Sequence, residues 1–169
     1  MIRLGILTLS DRSARGERPD ESGPLIAQIV SARLGAQVET RDVLPDDLEA
    51  IERTLRHWAD TLQLDLVLTT GGTGFAPRDV TPEATRAVVE REAPGLAEAM
   101  RAESLRVTPH AMLSRAVCGI RGRTLIVNLP GSPKAVRESL AVILPVLPHA
   151  IALLQGSPDG EAGHRLVQA

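Results

Sequence analysis

Leu64-Asp65-Leu66-Val67-Leu68-Thr69-Thr70-Gly71-Gly72-Thr73-Gly74, continued by FAPRDVTPE over residues 75–83, is the stretch on which the fold turns. Apart from Asp65, residues 64–70 are apolar or β-branched with little alternation, which suits a strand covered on both faces in a parallel sheet. Thr81-Pro82-Glu83 then predicts a helix start, with Thr81 as N-cap and Pro82 at the first helical position. A buried strand passing through glycines into a helix is half of a βαβ unit. Working outward, residues 2–9 read as a second such strand, and SDRSARGERP (10–19) reads as a loop. Leu25, Ile26, Ile29, Val30 and Leu34 recur at helical spacing, with Gly35 placed to end that helix. A β-type segment covers residues 38–44. Leu48, Ile51, Leu55, Trp58 and Leu62 lie on one helical face, and Asp46 and Asp47 stand where that helix begins.

Further on, helical sequence runs from Thr81 to about Arg106 with a break at Pro94-Gly95. Residues 117–120 and 124–129 form a hairpin or two strands. Val136, Leu140, Ile143, Leu147, Ile151 and Leu154 then trace a long stripe that Pro145 and Pro148 should divide. Strands alternating with helices, without repeat or linker, predict one α/β domain with a mostly parallel sheet over residues 1–156. Residues 157–169 are small and polar and read as a flexible tail.

Composition narrows the function. The chain has 169 residues, 43% hydrophobic and 24% charged, enough for a real core. A formal charge of −2 and a nearly complete lack of aromatics argue against a nucleic-acid partner or a polybasic membrane surface. The one cysteine, Cys118, allows no intramolecular disulfide and reads as a buried small hydrophobe. There is no signal-peptide pattern and no run long enough for a membrane span, so the expected location is cytoplasmic. Of the 19 basic residues, 18 are Arg, and the only Lys is Lys134; the only Asn is Asn128. A G+C-rich gene would deplete both types, yet the two survivors fall in one seven-residue stretch, Asn128-Leu129-Pro130-Gly131-Ser132-Pro133-Lys134.

In a parallel sheet, ligands bind where strands pass into loops at their carboxyl ends. Three such loops carry unusual chemistry: Ser10-Asp11-Arg12, the glycine-rich residues 69–82, and residues 128–134. Glycines admit close backbone approach and a helix N-terminus favours negative charge, so the natural guest is a phosphate. The Walker pattern and the dinucleotide fingerprint both fail, since no Lys follows the glycines and Gly72-Thr73-Gly74 runs into Phe75-Ala76-Pro77. A GGTG turn alone also reads as a tight strand-to-helix connection. Asp79 and Asp46 stand beside these loops, where a carboxylate near phosphate makes electrostatic sense if a divalent cation bridges them. For Asp46 a helix cap is the competing role. With Thr81 as cap, the Asp79 carboxylate is left over. Ser114-Arg115, Arg121 and Arg123 could also reach an anion. His57, His110, His149 and His164 lack metal-ligand spacing, and no GxSxG elbow supports a hydrolytic triad.

Taken together, LTLSDRSARGERPDESGP (7–24), VLPDD (43–47), LVLTTGGTGFAPRDVTPEAT (66–85), LSRAVCGI (113–120) and LIVNLPGSPKAV (125–136) resemble the molybdopterin-binding MogA/MoaB family, including the G domain of gephyrin. The resemblance covers about residues 2–155 and implies a single three-layer α/β/α domain, usually a homotrimer. Its match is closer to the molybdopterin adenylyltransferases than to the MoaB-type binding proteins. It implies Mg²⁺-dependent transfer of an adenylyl group from ATP to molybdopterin, with Asp46 and Asp79 as the catalytic, Mg²⁺-holding carboxylates. Ser10, Asp11, Thr70, Gly71, Gly72, Thr73, Gly74, Ser114, Asn128, Pro130, Gly131, Ser132 and Lys134 would bind substrate and nucleotide. Gly71 to Gly74 and Ser132 would act as donors, Lys134 as a compact cation, and Asn128 as a loop anchor or ligand contact. A molybdenum insertase is the implied partner. A pterin-binding module without transfer and a hydrolase using the same loops are the competing functions.

Overall fold

The computed structural model describes residues 1–157. Its elements are β1 (Arg3–Leu9), α1 (Asp11–Ala14), α2 (Ser22–Leu34), β2 (Gln37–Leu44), α3 (Leu48–Asp60), β3 (Leu66–Thr70), α4 (Thr81–Val88), β4 (Arg91–Glu92), α5 (Pro94–Leu105), a 3-10 turn (Pro109–Leu113), β5 (Cys118–Arg121), β6 (Thr124–Leu129), α6 (Pro133–Ile143) and α7 (Leu147–Leu154). They build one six-stranded sheet in the order β2-β1-β3-β6-β5-β4. The four strands β2, β1, β3 and β6 run parallel, while β5 and β4 add on antiparallel.

Alternation along the strands sorts the core into two layers. Leu4 and Ile6 of β1, Leu66 and Leu68 of β3, and Leu125, Val127 and Leu129 of β6 face α2, α5, α6 and α7. Leu7, Leu9, Val67 and Ile126 face the other way, onto Ile51, Leu55 and Trp58 of α3 and Ala84 and Val88 of α4. Helices on both faces of the sheet make the three-layer α/β/α architecture. Trp58 is 3% exposed. Cys118 is buried as expected, and that burial pushes its thiol up to about 12, so it is no nucleophile at neutral pH.

Several boundaries differ from the sequence reading. The polar residues 10–19 contain the short helix α1, which Ser10 caps by accepting from the Ser13 N–H at 3.2 Å. The helix expected to begin at Thr81 stops at Val88, and Arg91–Glu92 forms the edge strand β4 before α5 starts at Pro94. The caps are also reassigned. Asp47 caps α3, accepting from Ala50 N at 2.7 Å, which leaves Asp46 outside the helix. Thr81 is the first residue of α4 rather than its cap, and its hydroxyl donates back to Gly71 O at 2.9 Å. The C-terminal stripe divides where the prolines predict it should, into α6 and α7 bent by 64°. No single helix among the described residues is long and apolar enough to cross a membrane. The tail expected over residues 157–169 lies, from residue 158, outside the described residues.

Candidate functional site

The strand order reverses between β1 and β3: from β1 the chain moves outward to β2, then returns to the opposite side of β1. Such a switch point splays the loops at the carboxyl ends of its two strands and opens a crevice between them. The loops after β1 and β3 flank this point, with those after β2 and β6 on either side. Ser10, Ser22, Thr70, Gly71, Gly131 and Ser132 line a cleft of ≈ 220 Å³ here, together with Arg18. Thr73, Gly74, Ser114 and Pro130 belong to a second cavity of ≈ 280 Å³, whose wall is completed by Ala97, Met100 and Arg101 of α5 and by Ser139 of α6. The Gly71–Gly74 run and the Pro130-Gly131 step therefore have one cavity on each side.

Close packing fixes that divide. Thr70 Oγ1 donates to Pro130 O at 2.7 Å, and Gly71 N donates to Leu129 O at 3.3 Å. Gly71 has φ +98°, and a Cβ there would lie 2.3 Å from Leu9 O. Gly72 has φ +65°, and its Cβ would lie 2.3 Å from Thr81 Oγ1 and 3.1 Å from Asp46 Oδ1. Both the left-handed backbone and the lack of room therefore demand glycine. Arg115 braces the far side of this loop. Its backbone N–H donates to Thr73 O at 2.8 Å, its Nε to Gly74 O at 2.7 Å and its Nη2 to Asp79 O at 2.7 Å, while Nη1 pairs with Glu83.

The acidic residues come together. Asp46 Oδ2 accepts from Asp11 N at 3.1 Å, and Asp46 N donates to Asp11 Oδ1 at 3.0 Å. The remaining oxygen, Asp46 Oδ1, is buried without a hydrogen-bond partner beside Gly72. Burial first, then the neighbouring Asp11 and Asp79 charges, raise the Asp46 pKa above the ordinary carboxylate value, against the opposing pull of its hydrogen bond from Asp11 and of Arg78. Asp79 is less free than its position outside the helix suggests: Oδ2 accepts from Ala76 N at 2.9 Å, closing the turn before α4. Arg78 donates through Nη2 to Asp11 Oδ1 at 2.8 Å and to Asp46 O at 3.2 Å, and through Nε to Asp11 Oδ2. This pairing, foremost, holds the Asp11 carboxyl down to about 2.

Three of the expected site residues are held or placed in particular ways. Asn128 is fully buried, and its amide is satisfied within the core. It accepts from Val117 N at 3.1 Å and donates to Thr69 Oγ1 at 3.0 Å and Thr85 Oγ1 at 2.9 Å. Asn128 therefore takes the anchoring role among its two expected ones, tying β6 to β3 and α4 with both amide N–H groups engaged, and it borders the second cavity. Asp11 likewise gives both carboxylate oxygens to protein partners. Lys134 is 78% exposed in its side chain, 3.8 Å from Glu138 on the next turn of α6, so it reaches out from the rim of the site. Ser132 caps α6, accepting from Ala135 N at 3.2 Å, and its hydroxyl proton remains to donate. Ser114 ends the 3-10 turn at the second cavity. Arg121 sits at the opposite end of the sheet, held by Asp60 at 2.6 and 2.9 Å.

The sequence reading passed over Arg78, Asp20 and Ser22, and it offered Arg115 as an anion contact where the structure uses it to brace the glycine loop. Asp20 accepts from Gly23 N at 2.9 Å and Thr8 Oγ1 at 3.0 Å, and Ser22 Oγ donates to Gly131 O at 2.8 Å, so the start of α2 is tied to the first and third loops. Among eighteen arginines no single one stands out by type, and only the adjacency of Arg78 to Asp79 offered a signal. Among the described residues, no group of three His, Cys, Asp or Glu side chains could hold a metal unaided. The orphaned Asp46 oxygen, near enough to Asp79 to feel its charge, does fit Mg²⁺, which commonly takes one or two carboxylates and completes its shell with water and substrate phosphate. A larger groove of ≈ 760 Å³ opens between α5, α7 and the β5–β6 hairpin, but its lining is largely aliphatic and lacks convergent polar groups. The chemistry belongs at the switch point instead.

An α/β domain with paired cavities around a glycine turn and two carboxylates defines a class of phosphate-handling proteins, and the comparisons say which. Residues 5–149 match the model of the probable molybdopterin binding domain, and the chain belongs to that family. Among relatives, it is 42% identical to molybdopterin adenylyltransferase of Escherichia coli K12, covering 99% of this chain and 92% of that one. It is 46% identical to gephyrin of Dictyostelium discoideum over 92% of this chain, but spans only 23% of gephyrin's length. The crystal structure of a molybdopterin biosynthesis enzyme MoaB from Thermus thermophilus superposes with a TM-score of 0.88 at 56% identity, covering 94% of this chain and 99% of that one.

Proposed function

We propose that this protein is a molybdopterin adenylyltransferase of molybdenum cofactor biosynthesis. The observation that carries the reading is the pair of cavities meeting at one glycine turn, with the unpartnered Asp46 oxygen beside it. Two substrates held on either side of such a turn have their reacting groups brought together at it, which is where most of the rate gain of a two-substrate transfer comes from. Full-length similarity to adenylyltransferases supports the same reading.

In the reaction, an oxygen of the molybdopterin terminal phosphate attacks the α-phosphorus of ATP. A P–O–P bond forms, the bond from the α-phosphorus to the bridging oxygen breaks, and pyrophosphate leaves with its electron pair. The nucleophile is the substrate's own phosphate, so the chain needs no Ser or Cys nucleophile. Backbone N–H groups of Gly72 to Gly74 and the Ser132 hydroxyl donate to phosphate oxygens, while the Gly71 N–H is held by Leu129 O, and Lys134 contributes positive charge from the rim. Asp46 and Asp79 would hold Mg²⁺, which when bound offsets charge on the phosphates. The cleft lined by Ser10, Ser132 and Arg18, with Asp20 and Glu21 also on its wall, suits a phosphate held chiefly by hydroxyl and backbone donors, and the cavity beside α5, with Ala97 and Met100 in its wall, suits a planar ring. The cytoplasmic location, the homotrimer and delivery of product to a molybdenum insertase belong to this proposal as well.

A second reading is molybdopterin binding without transfer, which is all that the description of the matching family, a probable molybdopterin binding domain, requires. One assay separates the two. Purified protein with Mg-ATP and molybdopterin is expected to give adenylylated molybdopterin and one pyrophosphate per product. Pterin binding with no adenylylated product would establish the second reading, and pyrophosphate release without pterin would point to a hydrolase.

A further inference from the structure

Asp46 is the residue whose orientation matters most at this site, and nothing in α3 orients it, because Asp47 is the cap. We infer that Arg78 and Asp11 form a positioning pair for Asp46, holding its carboxylate so that Oδ1 faces the glycine turn. The inference rests on the adenylyltransferase reading for its kinetic consequence, though its geometry stands apart from it.

The pair connects three loops. Asp11 follows β1, Asp46 follows β2 and Arg78 lies in the loop after β3, so the contact spans the three adjacent strands at the switch point. Asp11 and Asp46 exchange backbone-to-carboxylate hydrogen bonds in both directions, at 3.0 and 3.1 Å. That reciprocal ring fixes the Asp46 side chain through Oδ2 and leaves Oδ1 as the available oxygen. Arg78 closes the ring from outside, gripping both Asp11 oxygens and the Asp46 carbonyl. A guanidinium fork meeting a carboxylate sets geometry as well as charge. Exposed ion pairs add little stability, and Arg78 is 65% exposed in its side chain, so stability gives little account of the contact. Direct grip on a triphosphate is the other role open to an arginine here. Against it, Nε and Nη2 are already engaged and Asp11 offsets the charge.

Arg78→Met tests the pair. It is expected to lower kcat about ten- to hundredfold, as misplacement of a reacting group does, while KM for ATP stays within about twofold. In an Asp46→Asn background, where single-turnover rates are followed, adding Arg78→Met should change the rate by less than about twofold, since a positioning residue acts only through what it positions. A raised KM for ATP with kcat preserved, or a full loss persisting in the Asp46→Asn background, would overturn the inference in favour of direct phosphate contact. Asp11→Asn should reproduce the Arg78→Met defect without adding to it, which provides the same test if Arg78→Met folds poorly. Amide hydrogen exchange supplies a readout free of activity. In Arg78→Met the Asp11 and Asp46 amides should exchange more than about tenfold faster than in the parent protein, with Leu66–Thr70 unchanged. Unchanged exchange at both amides rejects the pair. If the parent protein makes no adenylylated product, the adenylyltransferase reading falls while exchange still decides the pair.

Discussion

The two carboxylates that the sequence singled out differ in what surrounds them, and the difference is measurable. Asp46 keeps one buried oxygen with no partner, next to two other acidic groups. A carboxyl whose folded pKa is raised binds its proton more tightly folded than unfolded. The native state therefore loses stability as pH rises from the unfolded value, 3.8, through the higher folded one, and ionised Asp46 is a net cost at neutral pH. Asp46→Asn should remove that cost. Its Tm at pH 7 is expected to rise by about 1–3 °C, a small effect because solvent screens a half-buried group, while transfer falls by at least about a hundredfold. A fall in Tm would show that the charge is compensated in the folded protein. Asp11 carries the opposite sign. Its pKa lies near 2, so its pairing contributes fully above the unfolded value and is lost as pH falls through about 2. Residue type alone marked Asp46, Asp79 and the third loop as unusual, but not what each does. Asn128 was conspicuous because it is unique, and it is unique in the core because three buried partners need an amide with both donor and acceptor. Lys134, singled out for the same reason, is too exposed for its environment to distinguish a compact ammonium from a guanidinium.

At the scale of the element, the glycine turn is held from every side: Leu9 and Leu129 beneath it, Thr81 behind it and Arg115 at its far end. Gly72→Ala introduces a Cβ at positive φ against Thr81 Oγ1, and α4 cannot start where it does without shifting. It should destabilise the protein by about 1–3 kcal/mol in urea denaturation and, by moving the Asp46 neighbourhood, reduce transfer in the fraction that remains folded. Destabilisation below about 0.5 kcal/mol would mean that the turn relaxes. The strands and long helices were legible because their apolar periodicity is set by burial on one or two faces. The short pieces were not. Four residues of α1 and two of β4 are too few to carry a period, and their conformation follows from the Ser10 cap and from pairing of β4 with β5. The same limit explains the misassigned caps: Asp46 and Asp47 are equally good cap types, and only the path of the chain from β2 chooses between them.

For the whole molecule, the parallel core and single-domain organisation followed from alternating strand and helix signals, whereas strand order did not. The placement of β6 between β3 and β5 depends on contacts sixty residues apart, such as Thr70 with Pro130. Surface composition adds the remaining expectation. Val146 is 50% exposed and Leu153 43% exposed along the wide aliphatic groove, an area of apolar surface suited to burial against a second copy. A homotrimer of 18.0 kDa chains is the state expected by sedimentation or light scattering. Val146→Glu with Leu153→Glu should convert it to monomer; an unchanged trimer would move the interface to another face.

The lacing of the glycine turn also governs when the site can come into being. As the chain emerges during synthesis, β1, β2 and β3 can assemble with α2 and α3 around them. The turn after β3, however, hangs from Leu129 and Pro130, and the start of α2 is tied to Gly131. A nascent chain ending short of residue 129 lacks the partners that shape the turn, so the turn takes its form with the last strand of the sheet rather than with the glycines themselves.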